Sequence, residues 1–152
     1  MSAGGAAYAG AGLVSLAIAV PAAALDRPES GDVAQNYVLF CGGCHGLDGA
    51  GVRHRVPALR DTVGRFLRTE GGRELLLRFP GVTNSQLSDA GLAGVMNWCV
   101  ARFGGDDRPA ALAPYTAAEV RAARSEPLLN VRVSRTAFMR RAGVPPDEAG
   151  EY

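Results

Sequence analysis

The sequence predicts an all-α protein, and three observations carry that expectation. Apolar residues recur at helical spacing. With Leu92 set at zero on a helical wheel, Val95, Met96, Cys99, Val100 and Phe103 share one stripe, with Trp98 on its flank. No stretch alternates with period two for long enough to make a sheet, and no internal repeat is present. Residues 32–104, which hold the strongest helical patterns, number only about 73, so a core of short helices there needs a staple, metal or cofactor to supply part of its interior.

Taken in order, residues 1–25 carry no charge. Residues 11–20 (AGLVSLAIAV) form an apolar run of signal-peptide length, and Pro21-Ala22-Ala23-Ala24 offers a small-residue cleavage site. Residues 1–24 are expected to be a cleaved signal peptide. The alternatives are an uncleaved N-terminal anchor, since 25 uncharged residues can just span a bilayer, or an Ala/Gly-rich leader on a cytosolic protein. Residues 25–31 read as a polar linker. Asp32 with Gln35 then suggests a capping box ahead of Val33, Tyr37 and Phe40 at helical spacing. A Gly-rich turning segment follows (residues 41–51, CGGCHGLDGAG), closed by Pro57-Ala58-Leu59.

Short helices are expected at 58–66 and 73–78, and a long one from Asp89 to about Phe103, capped by Ser88 and stopped by Gly104-Gly105. Thr116 with Glu119 forms a second capping box, for a helix through about Arg124. A last helix is expected at 134–142, before a frayed tail. The division expected is 1–24 signal peptide or anchor, 25–31 linker, 32–104 main domain and 105–152 C-terminal extension.

Composition removes several function classes. Sixteen basic residues against fifteen acidic ones give +1, too balanced for an extended nucleic-acid surface. Every basic residue is Arg, so Schiff-base chemistry and a phosphate-loop Lys are excluded. Three Cys and two His are too few for a disulfide framework or most multi-ligand zinc sites.

Cys41-Gly42-Gly43-Cys44-His45 has the C-x-x-C-H spacing of covalent haem attachment. Two thiols three positions apart can each add to a vinyl group on adjacent pyrrole rings, and the His after the second Cys then lies under the iron as axial ligand. A thioredoxin-type dithiol is the first alternative, but it wants a βαβ context. Half a zinc site is the second, but only Cys99 and His54 remain to complete it.

Tyr37, Cys41, Cys44, His45, Gly46, Asp48, Gly49, Gly51, Pro57 and Leu59, with Leu87-Ser88-Asp89-Ala90 opening the long helix, form a pattern that resembles a class I c-type cytochrome. The resemblance covers about half the chain. It implies the small cytochrome c fold around one covalent haem c, with first and last core helices crossing near Tyr37 and Trp98. It also implies that the Pro57 carbonyl accepts the Nδ1–H of His45. Two departures stand out. The family usually has Gly where this chain has Val33, which would widen the helix crossing. It also usually supplies a Met before the Leu-Ser-Asp helix start, where this chain has Phe79-Pro80.

Met96, Met139 and His54 are the remaining candidates for a sixth iron ligand, and a vacant position is the fourth possibility. Cys99 reads as a buried structural thiol. Residues 53–78 carry an excess of four positive charges, a solvated face or a source of haem-propionate partners such as Arg65 and Arg73.

The function expected is therefore a periplasmic carrier of single electrons, not an enzyme. Its partners would be a periplasmic or membrane dehydrogenase and an oxidase or second cytochrome, with no nucleic acid, and with membrane contact only if the N-terminal segment is retained. The alternatives are a haem-based ligand-binding or sensing protein with an open sixth position, and a haem subunit of a larger oxidoreductase.

Overall fold

A computed structural model of the chain describes residues 32–143 together with Met1. Apart from Met1, the signal peptide, linker and terminal tail expected at 1–31 and 145–152 lie outside the described residues. Among the described residues all regular structure is helical, apart from a single bridge between Val52 and Val56. No described helix is long and apolar enough to cross a membrane.

Helix α1 (Val33–Tyr37) starts where the Asp32 carboxylate accepts the Ala34 N–H at 2.9 Å. It widens into a π-helical turn (Val38–Gly42) and runs on as α2 (Gly43–His45). After the Gly-rich loop come α3 (Thr62–Arg68), α4 (Gly72–Arg78) and α5 (Pro80–Thr83), the last with Pro in its first turn. The long helix α6 (Asp89–Phe103) is capped by Ser88, whose hydroxyl accepts the Gly91 N–H at 3.0 Å. A 3₁₀ turn (Gly105–Asp107) leads to α7 (Ala117–Ser125), which carries the expected Thr116–Glu119 capping box. The last helix, α8 (Val131–Arg141), begins three residues earlier than the sequence pattern suggested, because Asn130 caps it through the Val133 N–H. Likewise α3 starts at Thr62 rather than near 58, because Pro57 and Leu59 are spent closing the loop before it.

Helices α1 and α6 cross at Tyr37, which is 1% exposed, with ring centroids 4.9 Å from Trp98 and 5.4 Å from Phe103. At the crossing Val33 stands opposite Gly94 of α6. A Cβ placed on Gly94 would stand 3.6 Å from Val33 Cγ2. The buried stripe of α6 is the expected one, with Leu92, Val95, Cys99, Val100 and Phe103 inside and Met96 and Trp98 partly covered.

The C-terminal helices pack into this same core. Tyr115, Val120, Ala123, Phe138 and Met139 join one cluster with Phe66, Leu77 and Leu92, and the Phe138 ring stacks on Phe66 at 4.6 Å. Arg73 is the main clamp. It donates to both Glu119 carboxylate oxygens (2.7 and 3.1 Å) and to the Ala113 and Pro114 carbonyls (2.7 and 2.8 Å), while its guanidinium lies 4.2 Å over the Tyr115 ring. Asn97 on α6 makes a two-way bond with the main chain of Tyr115. Arg124 donates to the Ser85 and Leu87 carbonyls and pairs with Asp89 at 3.2 Å.

The Arg73 clamp carries a pH signature. Hydrogen bonds from Arg73 lower the Glu119 pKa from its ordinary 4.5 to about 2. A depressed carboxylate pKa stabilises the fold fully above the unfolded value, and that contribution is lost as pH falls from about 4.5 through about 2. Thermal midpoints measured from pH 7 to pH 2 are expected to fall less steeply across that window in Glu119→Gln than in the wild type.

Candidate haem-attachment site

The Gly-rich loop builds a tight frame around one imidazole. The His45 carbonyl accepts the Gly51 N–H at 2.8 Å, and the Gly49 carbonyl accepts the Leu59 N–H at 2.8 Å. Val52 and Val56 exchange both main-chain bonds, at 2.9 and 2.8 Å. Gly51 sits at φ 67° with no room for a side chain, since a Cβ would run into the Val56 and Pro57 carbonyls. The frame delivers the Pro57 carbonyl to His45 Nδ1 at 3.0 Å.

That contact settles the chemistry of the ring. A carbonyl can only accept, so Nδ1 carries the proton and Nε2 keeps a free lone pair. Burial lowers the His45 pKa, against a smaller raising effect of the Pro57 carbonyl, which favours the neutral imidazole that a metal needs. Cys44 is exposed and Cys41 is half-buried, both as free thiols on consecutive turns. Burial, with the neighbouring Cys44 second, pushes the Cys41 thiol up to about 11. A disulfide-exchange dithiol needs the opposite, a depressed thiolate pKa. The two thiols and the lone pair fit covalent haem, and among the described residues no three His, Cys, Asp or Glu gather as an all-protein metal cage.

The structure brings together Cys41, Cys44, His45 and Pro57. The sixth-ligand candidates stand on three different elements. His54 is exposed on the turn between Val52 and Val56, at φ 60°. Met96 is partly covered on α6. Met139 is 2% exposed, on α8 next to Phe138. Phe79 lies 6.2 Å from Phe66. Cys99 is buried, and burial raises its thiol pKa.

Arg65 and Arg73 do not stand free for propionates. Arg65 pairs with Asp107 at 3.2 Å, and Arg73 is taken by the Glu119 clamp. Sequence reasoning missed that clamp because it joins residues far apart in the chain. It also missed the Tyr37 hydroxyl, whose only sequence signal is Tyr where Phe would pack equally well.

An all-helical fold that frames two cysteines and a carbonyl-anchored histidine on consecutive turns defines the c-type cytochrome class. No family model matches the chain, but two curated relatives do. Cytochrome c-552 of Thermus thermophilus is 31% identical over 106 residues, covering 58% of this chain and 81% of the relative. A second cytochrome c-552 of Thermus thermophilus is also 31% identical over 106 residues, covering 58% of this chain and 72% of the relative. The chain belongs to the c-type cytochromes.

Proposed function

We propose that the protein is a monohaem electron carrier that works outside the cytoplasm. Cys41 and Cys44 hold one haem c through thioethers, and His45 is the proximal iron ligand. Single electrons pass between a periplasmic or membrane dehydrogenase and a downstream acceptor, an oxidase or another cytochrome. Residues 1–24 serve export, and 32–104 carry the haem.

The observation that carries this reading is the 3.0 Å contact from His45 Nδ1 to the Pro57 carbonyl, beside two thiols at C-x-x-C spacing. Family membership supports it, since the relatives are cytochromes by name. The haem, when bound, supplies a one-electron couple at its iron. The protein contributes orientation and burial. Pro57 fixes the imidazole tautomer, and Tyr37, Trp98 and Phe103 form an apolar packing block beside the attachment segment.

The test is haem content after denaturation, in protein purified from a host with haem-attachment machinery. The wild type is expected to retain one haem per chain and Cys41→Ser/Cys44→Ser none. Wild-type protein of unmodified mass would overturn the proposal.

A second reading, binding of a small haem ligand at an open sixth position, is favoured by one specific feature. Residues 79–88, between α4 and α6, contain no Met, His, Cys or Lys.

A further inference from the structure

We propose that Tyr37 is a positioning residue for the iron ligand: its hydroxyl, bonded to the Gly46 carbonyl, fixes the main chain that carries His45. The inference rests on His45 ligating haem iron, as proposed above. The phenol donates to the Gly46 carbonyl at 2.6 Å, across nine residues of chain. Gly46 lies immediately after His45, at φ 75° and ψ 161°, where the chain leaves α2. Among the described residues its carbonyl has one other donor, the Gly49 N–H at a longer 3.3 Å.

The phenol ring cannot drift, because it is 1% exposed and wedged against Trp98 and Phe103. Burial pushes the phenol pKa up to about 12, so the hydroxyl remains a donor across the physiological range.

Helix crossing alone does not account for the hydroxyl. The ring makes the aromatic contacts, and Phe would make them too. What the hydroxyl adds is a third tether on the ligand. Pro57 holds the imidazole at Nδ1, Gly51 holds the His45 carbonyl, and Tyr37 holds the peptide that follows. The third tether runs from α1, so it ties the orientation of the ligand to the α1–α6 crossing.

The experiment compares haem-loaded wild type, Tyr37→Phe and Asn130→Ala. Two readouts are taken: the hyperfine-shifted ring-proton resonances of the axial imidazole in the ferric protein, and the rate of acid-induced release of that imidazole from iron. Tyr37→Phe is expected to move the resonances and to speed release about fivefold, the size of one lost hydrogen bond. Asn130→Ala, which removes the remote α8 cap, is expected to lower thermal stability and move neither readout. Fluorotyrosine inserted at position 37 keeps the ring and makes the donor more acidic, and it is expected to shift the same resonances even if the Phe variant loads poorly. Resonances and release rate equal to wild type in both Tyr37 variants overturn the positioning role and leave His45 ligation standing. A wild type with no axial-imidazole resonance overturns the haem-ligand assignment, and the inference with it.

Discussion

A chain ending at Gly104 is expected to lose the native fold. Truncation there removes Tyr115, Val120, Phe138 and Met139, each at most 4% exposed, together with the smaller Ala123. Four large side chains at roughly 1.5–3 kcal/mol each put roughly 6–12 kcal/mol of gross burial at stake, before the ordering entropy of the removed segment is set against it. A domain of this size has only about 5–15 kcal/mol of net stability to lose. The cut also strips Phe66 of its stacking partner, removes the Tyr115 main chain that Asn97 holds, and deprives Arg73 of Glu119 and two carbonyl acceptors. Circular dichroism melting of the truncated and full-length chains checks this. A cooperative transition in the shorter chain near the full-length midpoint would contradict it.

On the open-site reading, carbon monoxide is expected to bind the ferrous protein rapidly and in full. The expectation follows from the haem reading and from where the possible ligands stand. The stretch between α4 and α6 is wound into α5 and the Ser88 cap, and its side chains include no strong iron ligand. His54 is exposed on the turn that precedes Pro57, on the segment that holds the His45 imidazole. Met139 is packed inside the core beside Phe138, and Met96 leans on that core from α6. The absorption spectrum of the reduced protein with and without carbon monoxide is the measurement. No uptake, together with a Met–iron charge-transfer band in the oxidised protein, would contradict the expectation. Met96→Leu and Met139→Leu would then show which thioether is responsible. An iron without a Met ligand should also have a lower reduction potential than His/Met iron.

Much of the site was legible because its determinants are local. The Cys41, Cys44 and His45 spacing, the Gly residues at 46, 49 and 51, and the two caps at Ser88 and Thr116 all act within a few residues of themselves. The α6 stripe was legible for the same reason, since helical periodicity needs no knowledge of the partner. The Arg roles were not legible. A guanidinium reaches any carboxylate the fold places nearby, and Arg73 finds Glu119 across 46 positions of sequence.

The sequence by itself determined the helical class, the succession of the longer helices and the C-x-x-C-H spacing, because propensity, capping and motif spacing are properties of short segments. Only the tertiary structure decided that α7 and α8 complete the core, that Arg65 and Arg73 pair with carboxylates of their own chain, and that Tyr37 reaches Gly46. Those outcomes depend on which surfaces meet when apolar area is buried, and that is a property of the whole packed chain rather than of any window along it.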